Sequence, residues 1–240
     1  SYYKSIIGNG GSSMPMDGDS AITPETAVKP ISSGAEYIKS LRGRGLKVYL
    51  FGELVDEPVD HPMIRPSINA VAKTYDLANE NPDLASAKSS ICGKTVNRFL
   101  HVTESVDDVV MQNRMQRKLG QLTGTCFQRC VGMDATNALH SLTYEIDEKH
   151  GTPYHARFQD FIARMQEANS VIGGAMTDGK GDRGKGPAAQ DDPDMFVHIV
   201  ERRDDGVVIR GAKAPDRSLS TRSSNLASQT LCAPLSSTPV

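Results

Sequence analysis

The feature that most constrains this chain is a change of hydrophobic period near Val171. Before it, apolar residues return at helical spacing over residues 34–42, 67–79, 106–122, 125–149 and 154–169. Gly43 and Gly45 stop the first of these segments, and Gly120, Gly124 and Gly151 mark breaks among the others. After it, Val171 to Asp178 reads as a strand entering a glycine-rich loop, and 196–202 with 207–210 read as two strands around Asp205-Gly206, a dipeptide suited to a tight hairpin turn. The expected class is therefore mainly α with a following β domain, α+β. Residues 47–52 read as a short extended piece. Asp60-His61-Pro62-Met63-Ile64-Arg65-Pro66-Ser67 reads as a loop, because each proline biases its predecessor away from the helical region.

The two ends lack either period. Residues 1–30, rich in Gly, Ser, Pro and Thr, are expected to be a flexible leader, and 215–240 a Ser/Thr-rich tail without strand-length alternation. The resulting organisation is a leader (1–30), a helical domain (31–170), the start of a β domain (171–214) and a tail (215–240).

Charge excludes some partners. The 27 basic and 29 acidic residues nearly cancel, which leaves no electrostatic footprint for nucleic acid or an anionic membrane. No apolar run approaches the roughly 20 residues that span a bilayer, and no secretory signal opens the sequence, so a soluble, cytoplasmic protein is expected. Its partners would be a small molecule or further copies of itself. Cys92, Cys126, Cys130 and Cys232 are too few for a disulfide scaffold, and reduced thiols or metal ligands are the expectation.

Two constellations could carry chemistry. In Cys126-Phe127-Gln128-Arg129-Cys130, a helix would place both thiols on one face, where soft thiolates could bind an iron-sulfur cluster or zinc from the same side. The same spacing also suits two buried thiols packing as small hydrophobes. A metal centre would need further ligands from elsewhere. In Met176-Thr177-Asp178-Gly179-Lys180-Gly181-Asp182-Arg183-Gly184, closely spaced glycines could let backbone amides approach a phosphate. Thr177 could donate a hydrogen bond, and Lys180 or Arg183 could neutralise charge. The stretch fits neither the P-loop nor the dinucleotide fingerprint, and a solvated turn remains the alternative. Arg117, less than three helical turns before Cys126, and Gln128, between the cysteines, could reach a substrate. His61 suits a turn-forming role. His101, His140, His150, His155 and His198 have no ligand spacing and receive no role.

Taken together, Asp60 to Asn69, Gly93-Lys94-Thr95-Val96-Asn97-Arg98, Cys126 to Ala135, Thr143-Tyr144-Glu145-Ile146-Asp147, Gly174 to Gly184 and the closing Arg210-Gly211-Ala212-Lys213-Ala214 resemble the 4-hydroxybutyryl-CoA dehydratases. The resemblance runs from about Ala35 to Ala214. That family is a branch of the flavin-dependent 4-hydroxyphenylacetate hydroxylases, and the resemblance implies an acyl-CoA dehydrogenase-like fold with helical domains on either side of a β-barrel. It implies FAD contacted by the stretch matching Met176 to Arg183, with Gly179 standing where the family carries proline. It implies a 4Fe-4S cluster with Cys126 and Cys130 as two of its four ligands, and Arg117 and Gln128 on the substrate side. The implied reaction is dehydration of 4-hydroxybutyryl-CoA to crotonyl-CoA, with vinylacetyl-CoA isomerisation, by flavin radical chemistry and a Lewis-acid cluster in a homotetramer.

The resemblance stops at Ala214. The remaining cluster ligands and the acid/base residues are therefore expected outside this sequence, with the chain cut within the barrel and lacking the C-terminal helical domain. A flavin-dependent aromatic monooxygenase and an inactive binding or assembly module are the other readings.

Overall fold

The computed structural model describes residues 29–45, 47–174, 177–203 and 206–214. The expected leader up to residue 28, the tail from 215, Cys232, Met176 and Asp205 lie outside the described residues.

Helix α1 (Gly34–Leu41) starts where the Ser33 hydroxyl accepts the Glu36 amide and stops before the glycine-rich turn, as its pattern predicts. A short antiparallel pair, β1 (Val48–Leu50) and β2 (Glu53–Val55), follows. The loop expected up to Ser67 ends earlier. Helix α2 (Arg65–Glu80) takes Pro66 into its first turn, where the missing N–H costs nothing because that turn has no intrahelical acceptor. His61 helps shape the approach, its Nδ1 accepting the Met63 amide at 3.3 Å.

The stretch between Asn81 and Glu104 contains structure that periodicity does not reveal. A single turn, α3 (Pro82–Ala85), leads into the antiparallel pair β3 (Ser86–Lys88) and β4 (Thr95–Asn97) and then a 3₁₀ turn, Arg98–Leu100. Three-residue strands are too short to show alternation. They are held by buried polar side chains. Arg98 donates to the carbonyls of Leu84 and Ser86 at 2.8 and 2.6 Å, and Asn97 donates to the Thr74 carbonyl at 3.2 Å.

Helix α4 (Val106–Thr123) has a complete N-terminal capping box, Ser105 with Asp108, and a left-handed C-cap at Gly124. It runs straight through Gly120, which sequence alone read as a break. Helix α5 (Cys130–His150) ends on left-handed Gly151, and α6 (Tyr154–Ala168) ends on left-handed Asn169. Asp147 in the last turn of α5 accepts the Tyr154 and His155 amides at 2.9 and 2.7 Å, so it caps α6 from the neighbouring helix.

The core joins these helices. Ala70 and Leu77 of α2, Ala85 of α3, Phe99 of the 3₁₀ turn, Met115 and Leu119 of α4, Phe127 of the connection after α4 and Met133 of α5 form one buried cluster. Gln166 of α6 ties it to the 81–104 region, accepting from Ser89 Oγ at 2.9 Å and donating to the Leu100 carbonyl at 2.8 Å.

Beyond α6 the backbone is irregular through Gly174, where the sequence suggested a strand. Only Thr177–Asp178 (β5) pairs, with Lys213–Ala214 (β8). Nested inside that pair is a hairpin of β6 (His198–Arg203) and β7 (Gly206–Arg210), as the alternation predicts, with a bulge between Ile199 and Glu201. The described region is thus helical with small two-stranded sheets. None of its helices is long and apolar enough to cross a membrane.

Candidate functional site

The two cysteines meet, but not through the expected geometry. The helix predicted from residue 125 begins only at Cys130, so Cys126 is not on α5 and the pair does not share a helix face. The reason lies in the connection. Gly124 has already turned α4 into the left-handed region (φ 60°), and Gln128 turns left again (φ 59°), a conformation no helix can pass through. Between these turns Phe127 drops into the core, its ring 5.5 Å from that of Phe99. Cys126 is carried back toward Cys130, near enough for one thiol to bear on the ionisation of the other. The Gln128 amide points at the Cys126 sulfur, 3.4 Å away.

Both thiols are half-buried, and Cys130 packs against the core cluster. Burial first, then the neighbouring Cys126 sulfur, pushes the Cys130 thiol above its ordinary value. An unaided nucleophile would be poorly served by that shift, since the thiolate is the reactive form. A pair of thiols side by side suits a metal centre, whose charge displaces both protons. A tetrahedral iron or zinc centre needs four ligands, and among the described residues no third His, Cys, Asp or Glu joins the pair. The donor set fits half of such a site.

Arg129 is the residue sequence reasoning missed. It sits between the cysteines and is 2% exposed, with no carboxylate partner among the described residues. Its guanidinium stacks over the rings of Tyr75 and Phe99, 4.9 and 5.0 Å from their centroids. It donates to Thr74 Oγ1 of α2 at 2.9 Å and to the Ser170 carbonyl at 3.3 Å. Burial pulls its pKa down to about 10, which still leaves it charged at neutral pH. Nothing in its sequence neighbourhood distinguishes it from a surface arginine.

Arg117 lies on the exposed side of α4, with no hydrogen bond or ion pair among the described residues. It is available to an anion but is not joined to the thiols. In the glycine-rich stretch, Lys180 and Arg183 are exposed and likewise unpaired among the described residues, while Thr177 and Asp178 form β5. The amides there are less free than spacing suggests. Asp182 donates to Gln190 Oε1 at 2.9 Å and Gly184 to Asp182 Oδ1 at 2.9 Å, while the Gln190 amide closes the turn onto the carbonyls of Asp182 and Lys185. Gln190 was not singled out from sequence. Gly179 lies 3.2 Å from the Met195 sulfur at the position a Cβ would take, and Gly181 would strike the Gln190 side chain. The histidines form no ligand cluster. His101 Nε2 contacts Asp108 at 3.1 Å, and the His140 and His155 rings meet edge to face at 4.9 Å.

Residues 33–224 match the family described as 4-hydroxyphenylacetate 3-hydroxylase N terminal. The chain belongs to this family. Over 186 residues it is 55% identical to the 4-hydroxybutyryl-CoA dehydratase/vinylacetyl-CoA-Δ-isomerase of Clostridium aminobutyricum, covering 77% of this chain and 38% of that one. Among solved structures it is similar to an oxygen-tolerant archaeal 4-hydroxybutyryl-CoA dehydratase from N. maritimus, at 70% identity with a TM-score of 0.72, covering 76% of this chain and 37% of that one. The oxygenase component of a 4-hydroxyphenylacetate 3-monooxygenase complexed with FAD and 4-hydroxyphenylacetate shares the fold at 20% identity and a TM-score of 0.58, covering 75% of this chain and 37% of that one. The resemblance read from the sequence motifs therefore stands, and the chain spans under two fifths of the length of these relatives.

Proposed function

We propose that this chain takes part in the dehydration of 4-hydroxybutyryl-CoA to crotonyl-CoA, with vinylacetyl-CoA isomerisation as a companion activity. The enzyme would be a cytoplasmic homo-oligomer of acyl-CoA dehydrogenase-like fold, homotetrameric as the family resemblance implies, carrying FAD and a 4Fe-4S cluster. Residues 31–170 would form its N-terminal helical domain and 171–214 the start of its flavin-binding barrel. One observation carries the reading: the left-handed turn at Gln128 sets Cys126 and Cys130 side by side in a chain 55% identical to a dehydratase of that name.

When bound, the cluster would supply Lewis acidity at the leaving hydroxyl and the flavin one-electron chemistry at the thioester. The chain's own residues hold and orient. Cys126 and Cys130 would give two thiolates. Because the Cys130 thiol is raised, iron uptake must expel its proton and should strengthen as pH rises. The Gln128 amide, aimed at the Cys126 sulfur, fixes that ligand's orientation. The Gln128 side chain would face the substrate, and the exposed Arg117 guanidinium suits an anionic group of the CoA thioester. Met176, Thr177, Asp178, Gly179, Lys180, Gly181, Asp182 and Arg183 would contact the flavin, with Lys180 and Arg183 meeting its pyrophosphate.

The test is anaerobic reconstitution with iron, sulfide and FAD of a full-length dehydratase relative carrying this segment, comparing it with the variant in which the positions matching Cys126 and Cys130 are both serine. Iron retained by the wild type and lost from the variant supports the reading. Equal retention would remove the pair as ligands and favour a flavin-dependent aromatic hydroxylase, whose chemistry needs no thiol pair. Assaying crotonyl-CoA formation on the same samples then asks whether the loaded chain turns over.

A further inference from the structure

The segment carrying Cys130 and the segment that precedes the glycine-rich stretch in sequence are interlocked by close packing. The first turn of α5 packs against residues 170–174, the segment that leads into β5, at two positions where no side chain fits. A Cβ on Gly132 would stand 1.9 Å from the Ile172 carbonyl oxygen and 2.7 Å from its carbon. A Cβ on Gly174 would stand 2.3 Å from Val131 Cγ1. Neither neighbour can swing away cheaply, since one is main chain and the other belongs to a β-branched side chain restricted to essentially one rotamer in a helix. Arg129 adds a third tie through its hydrogen bond to the Ser170 carbonyl, and that guanidinium is itself clamped between two rings. Residues 129–132 and 170–174 therefore have little freedom to slide past each other. Cys130 is part of the first segment. The second enters the 177–183 stretch within a few residues.

We infer that Gly132, Gly174, Val131 and Arg129 are positioning residues that couple the thiol pair to the glycine-rich stretch, so that a ligand ordering one changes the geometry and reactivity of the other. The coupling is reciprocal by thermodynamic linkage. It rests on the proposed function only for the identity of the two ligands, flavin at the stretch and iron at the thiols. The mechanical link is a property of the chain alone.

The test uses the whole chain without cofactor and reads iodoacetamide alkylation of Cys126 and Cys130 by peptide mass spectrometry, with Cys92 as the internal reference. Gly174→Ala is expected to change the alkylation rate of the pair at least about fivefold relative to Cys92, the lower end of ordinary coupling. Adding Val131→Ala, which removes the atom the new Cβ strikes, is expected to restore the rate to within about twofold of Val131→Ala alone, a small part of that coupling range. An unchanged rate in Gly174→Ala, or a change that Val131→Ala does not reverse, overturns the inference. Should Gly174→Ala fail to fold, the double variant decides: a folded chain with the Val131→Ala rate supports the interlock, and failure to recover overturns it. A second arm adds FAD to the wild type and follows flavin fluorescence. Binding with altered alkylation supports coupling, and binding with unaltered alkylation overturns it. If FAD does not bind, the flavin reading of the stretch falls, while the glycine variants still decide the interlock.

Discussion

The helical region and the strand region that follows it hold themselves together differently. Every buried apolar side chain among the described residues lies between Val59 and Ile162. In β6 and just before it, Val197, Ile199 and Val200 are 38–44% exposed, while Val207, Val208 and Ile209 of the paired strand β7 are only half-buried. The helices close a core from their own residues, whereas the hairpin has its pairing but no fully buried apolar side chain among the described residues. Core packing should therefore set the stability of the first region, and local hydrogen bonding the order of the second.

The largest expected effect tests that contrast directly. Leu119 is fully buried, and Leu119→Ala should cost about 2–5 kcal/mol in urea unfolding followed by far-UV circular dichroism. Ile199→Ala, at a side chain 44% exposed, should stay within about 0.5 kcal/mol. Comparable losses would break the comparison, because they would mean that the hairpin is packed against something in solution.

The same contrast explains what the sequence disclosed. Helix α4 was legible almost to the residue, because Ser105 and Asp108 form its capping box and its core contacts Met115 and Leu119 keep helical spacing. The β6–β7 hairpin was legible because alternation and a turn dipeptide are local signals. The strands around Ala87 and Val96 were not, since three residues are too few for a period and buried Arg98 and Asn97 carry the local structure.

The candidate site was legible in composition and not in geometry. Two cysteines four apart suggested a helical face, yet Gln128 adopts a left-handed turn that its residue type does not announce. Arg129 was invisible for the same reason: only the tertiary fold brings Tyr75, Phe99 and Ser170 around it. Gly132 did carry a signal, because a glycine inside a helix costs about 1 kcal/mol relative to alanine and often marks a close approach.

A pair of glutamines sharpens the comparison at the next level down. Gln166 is buried, and both ends of its amide bridge to Ser89 and Leu100, so Gln166→Ala leaves polar groups without partners inside the helical region. The expected loss is about 1–3 kcal/mol in the same unfolding experiment. Gln190 makes four hydrogen bonds against two for Gln166 but closes only the local turn at 182–186. Gln190→Ala should speed amide exchange at Asp182 and its neighbours and leave global stability within about 0.5 kcal/mol. A global loss from Gln190→Ala matching that of Gln166→Ala would show that the turn is part of the cooperative unit.

The smallest effect separates two carboxylates by their donors. Desolvation pushes the Asp147 carboxyl upward, but hydrogen bonds from Thr152 and from the His155 and Tyr154 amides outweigh it and hold the group below its ordinary value of 3.8. Glu201 is also lowered, chiefly by its hydrogen bonds from Arg203 on the same exposed strand. The sign is the same for both. A depressed carboxyl binds fewer protons folded than unfolded, so its stabilisation is present above the unfolded value and is lost as pH falls through the folded one. Asp147→Asn should therefore lower stability at neutral pH and flatten the acid limb below about pH 4. Because direct hydrogen bonds from Thr152 and from the main-chain amides of His155 and Tyr154 supply most of its stabilisation, that effect should largely persist in high salt. The corresponding effect of Glu201→Gln rests on an exposed ion pair and should vanish there. Acid titrations by circular dichroism at low and high salt distinguish them, and a Glu201→Gln acid limb that stays shifted in high salt would mean that the hairpin's ion pair is sheltered as the helices are.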